Sequence, residues 1–242
     1  MKVFKINYSF YFLFILILFS PKQYLFLKVL LCLFIHELFH ILFVFIFKYK
    51  VRKIELSIFG FFMELDKNKN IFYKDLLIYL GGIIGNLLII ILISDHDIKI
   101  ISLILIIINL LPIYPLDGYN ILSTFLMRII PYFYSLLISK IISLLTLFII
   151  IFYLIYLNID LYFFINLIYL LCINIITICH FDSIINSFLL DRYLYKFEYK
   201  KKEVKLKSNL KTIFYKYFNI YVSFGEKNMS EFEILRILFE KT

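Results

Sequence analysis

The chain has 242 residues, 63% of them hydrophobic and 18% charged, with a net charge of +9 and a mean hydropathy of +0.92. A soluble domain runs near half apolar with about a quarter of its residues charged. A water-soluble globule is therefore excluded, because it has nowhere to hide so much Ile, Leu and Phe, whereas a bilayer does. Three cysteines, Cys32, Cys172 and Cys179, all lie in apolar runs without framework spacing, which argues against disulfides and against a cysteine-based metal site.

Spanning a membrane as a helix takes about 20 apolar residues. Six segments qualify or nearly do, approximately 6–20, 24–47, 76–94, 100–127, 131–157 and 161–183. The first is short, lacks a small-residue cleavage site and runs directly into the second, so it is expected to be a span rather than a cleaved signal peptide. The fourth is interrupted by Pro112 and Pro115. Lys and Arg set orientation, since they accumulate on the cytoplasmic side. Lys2 and Lys5 precede the first segment, Lys48, Lys50, Arg52 and Lys53 follow the second, Arg128 follows the fourth, and a Lys-rich tail follows the sixth. The opposite loops are nearly bare or acidic, with Asp95, Asp97 and Lys99 in one and Asp160 in the other. The pattern predicts an α-helical polytopic membrane protein with six spans and both termini in the cytoplasm.

Between the second and third spans, residues 51–65 read VRKIELSIFGFFMEL. The alternation and the β-branched and aromatic content predict a β-hairpin with Gly60 near its middle. Its unpaired edge is suited to accept an extended peptide as an added strand. After Asp191 the composition changes to a basic stretch that includes Lys200, Lys201 and Lys202. A cytoplasmic flank touching anionic lipid explains it better than a nucleic-acid arm, and no nucleic acid is expected as a partner. From about Thr212 the chain reads as one or two strands and a short helix over 230–241.

The second span carries His36-Glu37-Leu38-Phe39-His40. Positions i and i+4 of a helix lie on one face, so both imidazoles can converge on one metal with Glu37 beside it, the zinc-hydrolase signature. A carboxylate in mid-membrane costs about 2.5 kcal/mol or more unless it is paired or faces a polar cavity. Catalytic zinc takes three protein ligands plus water. The best third candidate is Asp117, in a run from Asn109 to Gly118 that holds Pro112 and Pro115. Two prolines and a glycine break the helix there, and irregular backbone at membrane depth is tolerated only when buried in protein or lining a wet cavity. Asn109 can hydrogen-bond a peptide backbone or an oxyanion, or simply a neighbouring helix.

These residues together resemble the site-2 protease family, in the branch typified by stage IV sporulation protein FB. The resemblance covers about residues 5–127 and rests on four pieces in order: the HELFH helix, the hairpin 51–65, the segment from Lys74 to Asn86 with Gly82, and the run NLLPIYPLDG. It implies zinc on His36, His40 and Asp117, Glu37 as the base, and functional roles, in substrate binding, for Asn86, Asn109, Pro112 and Pro115. It implies a catalytic transmembrane core over 1–127, two further spans over 128–191 and a basic cytoplasmic tail over 192–242. The chain departs from the family at Phe39, where glycine is common, and at Ile83, where Gly82 is commonly followed by proline. The family branch also ends in a nucleotide-sensing domain, of which the tail resembles at most the closing helix.

The expected activity is hydrolysis of a peptide bond of a membrane-associated protein at the cytoplasmic side, with Glu37 taking the proton from water and passing it to the leaving amine. The resemblance implies a sigma-factor precursor in sporulation as substrate, and inhibitory membrane partners. The alternatives are a general site-2 protease cutting anti-sigma factors or signal-peptide remnants, and a non-hydrolytic membrane metal-binding or transport protein. Polar residues gathered around one HExxH rather than spread along several helices favour hydrolysis. Cys32, one turn before His36, is read as packing rather than as a transient ligand. His180 with Asp182 reads as an interfacial polar cap, and Gly81, Gly82 and Gly85 as sites of close helix packing.

Overall fold

The first long helix shows what kind of solvent surrounds the chain. In a computed structural model, which describes residues 4–6, 23–49, 51–57, 60–65, 71–157, 161–205, 209–224 and 227–240, helix α1 runs Gln23–Ile46. Its buried residues are Lys28, Cys32, His36, His40 and Val44, a stripe spaced by four on one face. Its outward faces carry Tyr24, Leu27, Phe34 and Phe45, the last 62% exposed. Polar groups inward and large apolar groups outward invert the pattern of a soluble helix and match a helix in lipid.

Eight α-helices and six strands occur among the described residues. Strands β1 (Phe4–Ile6), β2 (Val51–Ser57) and β3 (Gly60–Leu65) form one sheet in that order. The pair β2–β3 is antiparallel, with Ser57 opposite Gly60 and a register shift between Val51 and Lys53. The hairpin expected over 51–65 is therefore present. Strand β1 pairs parallel to β2, so β1 and β3 are the edge strands of this sheet among the described residues.

Helices α2 (Phe72–Leu92), α3 (His96–Leu110), α4 (Asp117–Ile129), α5 (Tyr132–Tyr156), α6 (Leu161–Cys179) and α7 (Phe181–Tyr195) follow. Helices α1, α2 and α5 are each long and apolar enough to cross a membrane, and α6 with α7, bent by 57°, makes a fourth if taken as one span. The six spans expected from the sequence are thus three to four among the described residues. The expected span at 6–20 lies outside those residues. The expected span at 100–127 is two helices of 15 and 13 residues, because Pro112 and Pro115 cannot donate to a helical ladder and push their predecessors out of helical geometry. The expected span at 161–183 runs on past its bend to Tyr195.

The chain divides into two compact units, Met1–Asn68 with Leu76–Leu110, and Lys69–Asp75 with Leu111–Thr242. In the first unit, Cys32, Ile89 and Ile98 form an apolar cluster with Ile35, Ile93, Ile101 and Leu105. The Cys32 thiol accepts a hydrogen bond from the Ser102 hydroxyl at 3.4 Å, and Lys28 Nζ reaches Asp95 and Asp97 at 2.8 and 2.7 Å.

In the second unit the polar-inward pattern recurs on α5, whose buried residues include Ser135, Ser139, Lys140 and Ser143. Lys140 donates to the Thr177 carbonyl, in the last turn of α6 where helical carbonyls lack intrahelical partners. The tail adds β4 (Lys201–Glu203), β5 (Asn219–Phe224) and β6 (Lys227–Ser230), with helix α8 (Glu231–Glu240) behind them. Strand β5 is central, parallel to β4 and antiparallel to β6. Ile213, Phe214, Ile220, Val222, Ile234 and Leu235 are buried there. The strands and closing helix expected after Thr212 are present, and β4 adds a strand within the basic stretch.

Candidate metal centre

Helix α1 brings His36 and His40 together, as the i, i+4 spacing requires. Their Nε2 atoms are 3.2 Å apart, and the rings meet edge to face with centroids 4.9 Å apart. Two imidazole nitrogens on a tetrahedral zinc, each at about 2.0–2.1 Å, stand about 3.3–3.4 Å from one another. The pair is therefore already at ligand spacing. Both side chains are buried.

Helix α2 fixes each ring from behind. The carbonyl of Ile78 lies 2.7 Å from His40 Nδ1. A carbonyl only accepts, so Nδ1 carries the proton and Nε2 of the neutral ring is left with its lone pair. Orientation of a ligating histidine through its second nitrogen is the usual support of a metal site. The amide of Asn86 lies 3.1 Å from His36 Nδ1, and Asn86 is fully buried. The glycines of α2 make this approach possible. A Cβ at Gly82 would stand 2.3 Å from His36 Cε1 and Nε2, and one at Gly81 would stand 2.9 Å from the Phe39 carbonyl oxygen.

Phe39 fills the space over Gly85, where a Cβ would meet its ring at 2.8 Å. Ile83 is buried. Glu37 is half-buried beside His36 on α1. Asn109, near the end of α3, donates to the carbonyl of Leu105 in its own helix at 3.0 Å.

Asp117, Pro112 and Pro115 belong to the second unit. The chain leaves helical geometry from Leu111 to Leu116 and re-enters it with Asp117 as the first residue of α4. An acidic side chain there is favoured by the partial positive charge of a helix N-terminus. The break is tied down by a polar cluster. Ser143 Oγ accepts from the Tyr114 N–H at 2.9 Å and donates to Asn174 Oδ1 at 2.7 Å. The Asn174 amide in turn donates to the Tyr114 carbonyl at 2.9 Å. Both backbone groups of Tyr114 are thereby paired, which meets the demand that irregular backbone away from water be satisfied by protein. Pro115 is exposed and Pro112 half-buried.

Among the described residues, His36, His40 and Asp117 offer a donor set that could hold a metal ion. The donor types, two imidazoles and a carboxylate, suit zinc as well as other first-row divalent ions. Sequence reasoning missed the Ile78 carbonyl, because any residue supplies one. It also missed that Gly82 borders a histidine ring, although its place four residues before Asn86 puts both on one face of α2. No protein-family model matches the chain, and no curated protein matches it either.

Proposed function

We propose that the chain is a zinc endopeptidase of the site-2 protease type, which hydrolyses a peptide bond of a membrane-associated protein at the cytoplasmic side of the bilayer. The observation that carries the reading is the buried His36–His40 pair, Nε2 to Nε2 at 3.2 Å, on a membrane-length helix with Glu37 between them in sequence. In this reading zinc is held by His36, His40 and Asp117. The ion supplies Lewis acidity, acidifying water and polarising a carbonyl oxygen.

The protein's own groups do the rest. The Glu37 carboxylate takes a proton from the attacking water and delivers it to the nitrogen of the leaving amine. The edge strand β3 takes the substrate as an extended strand, replacing the backbone hydrogen bonds that a helical substrate loses on unwinding. Asn109, Pro112 and Pro115 shape the path of that strand. Apolar α1, α2 and α5 hold the site in the bilayer, within a six-span topology with cytoplasmic termini. The substrate is a membrane-tethered precursor of a sporulation sigma factor.

Co-expression of the chain with such a precursor tests the reading. The wild type yields a shorter product. Glu37→Gln lowers its yield by about 10²–10⁴-fold, the range of a lost general base, while zinc stays bound. Cleavage that survives Glu37→Gln rejects the mechanism, and an intact precursor with the wild type rejects the substrate.

A further inference from the structure

Tyr114 lies three residues before Asp117, in the stretch 111–116 that leaves helical geometry. Both of its backbone groups are committed to side chains of other helices. Its N–H donates to Ser143 Oγ of α5 at 2.9 Å, and its carbonyl accepts from the Asn174 amide of α6 at 2.9 Å. The Ser143 hydroxyl donates in turn to Asn174 Oδ1 at 2.7 Å, which closes the ring. The second hydrogen of the Asn174 amide goes to the Leu170 carbonyl at 2.8 Å.

This ring can run in one direction only. A backbone N–H donates and a carbonyl accepts, so the hydroxyl proton of Ser143 has to go to Asn174. The asparagine amide gives its hydrogens to carbonyls, which fixes its oxygen toward Ser143. Both side chains are buried, and losing either leaves a backbone group of Tyr114 unpaired. The neighbouring serines of α5 behave otherwise. Ser135 and Ser139, equally buried, spend their hydroxyls on carbonyls four or five residues earlier in the chain. Ser143 is the one that reaches across to the break.

What the ring holds is short and stiff. The φ of Pro115 is locked by its own side chain, and the Leu116 N–H donates to the Ile113 carbonyl at 2.7 Å. The Tyr114 ring meets that of Tyr119, in the first turn of α4, edge to face at 5.2 Å. A displacement of Tyr114 is thus carried to Asp117 rather than absorbed on the way.

We propose that Ser143 and Asn174 are positioning residues of Asp117, holding the stretch 111–116 in the shape that presents its carboxylate to a metal before any metal arrives. The inference rests on the metal-site reading above and extends it to two helices that supply no ligand. A purely structural role, in which the pair only satisfies irregular backbone away from water, predicts lost stability without lost metal affinity.

Zinc affinity of the purified full chain, measured by chelator competition at a temperature where each protein is folded, compares Ser143→Ala with Ser139→Ala. Both delete one buried hydroxyl from the same helix. Ser143→Ala weakens zinc by about 10–100-fold, the range found when the support of a metal ligand is removed. Ser139→Ala stays within a few-fold of the wild type. Equal affinities in the two variants, both weakened or both unchanged, overturn the proposal.

A second measurement needs no variant to fold. In the metal-free wild type, amide hydrogen exchange over 111–118 is already slow, and zinc changes it little. Free exchange that slows only on adding zinc would mean that the metal shapes this stretch, and overturns the proposal. Failure of the wild type to take up zinc at all removes the metal-site reading itself, and with it this inference. Zinc uptake with equal affinities in the two variants removes only the inference.

Discussion

Two buried polar clusters in this chain are built to opposite ends. In the tail, Arg192 is enclosed by α7, β5 and α8 and every group around it is matched. Its Nε and Nη2 donate to Glu231 at 2.5 and 3.0 Å, and its Nη1 and Nη2 donate to the carbonyls of Lys216 and Phe218. Glu231 Oε2 also accepts from the Asn219 amide and the Ile220 N–H. At the histidine pair, by contrast, two ring nitrogens face each other and Asn86 Oδ1 has no hydrogen-bond partner among the described residues. A closed network holds a fold together, whereas one with acceptor capacity left over is shaped for a guest.

The largest effect should come from breaking the closed cluster. Arg192→Ala leaves the Glu231 carboxylate buried without its counter-charge, and loss of one partner of a buried pair costs about 3–5 kcal/mol. Limited proteolysis of the tail in detergent should show cleavage within 201–240 at protease levels that spare the wild type. Arg192→Met with Glu231→Leu removes both charges and should recover most of the loss. If the double variant is as fragile as the single one, the network contributes more than charge balance.

A middle-sized effect separates the two glycines beneath α1. Gly82→Ala pushes a methyl to 2.3 Å from the His36 ring and Gly85→Ala pushes one to 2.8 Å from the Phe39 ring. Overpacking costs about 1–3 kcal/mol in each case. Only the first moves a side chain of the proposed zinc site, so both variants should melt earlier but, if that site holds zinc, only Gly82→Ala should also lose it. Zinc lost equally in both would mean that the helix spacing, rather than the ring itself, sets the metal geometry.

What the amino-acid sequence announces and what it conceals follow from how far each signal reaches along the chain. HELFH states its geometry within five residues, so the convergence of His36 and His40 is legible from residue order and helical period alone. The hairpin is equally plain from alternation over 51–65. Strand β1 is not, because three residues, Phe4–Ile6, carry no period and their partner lies near Ile54. The end of the last membrane segment is hidden because Asp182, Ser183 and Asn186 look like an exit into water, yet the helix bends after Cys179 and continues for 15 residues. The prolines mark a break at 112–115, but the groups that tie it down, Ser143 and Asn174, come from 29 and 60 residues further on. The carbonyl of Ile78, which fixes His40, belongs to the backbone and leaves no trace in residue type.

The smallest effect concerns a third polar cluster that lies between the two extremes. Lys28 Nζ reaches Asp95 and Asp97, whose side chains are 33% and 55% exposed. The Lys28 ammonium, followed by the backbone N–H of Ile98, holds the Asp95 carboxyl below its ordinary value of 3.8. A group whose pKa is lowered by folding contributes stability above its unfolded value, and that contribution disappears as pH falls through the folded one. Acidification below about pH 4 should therefore lower the melting temperature of the wild type more steeply than that of Asp95→Asn, which has no proton to take up at that site. Near neutral pH the two should differ little, because water and salt screen a pair this open. High salt should shrink the acid difference further and leave the Arg192 effect almost untouched, since screening reaches exposed charges and not enclosed ones. Parallel acid limbs for wild type and Asp95→Asn would place the stability of this loop in its apolar neighbours, Cys32, Ile89 and Ile98, rather than in its charges.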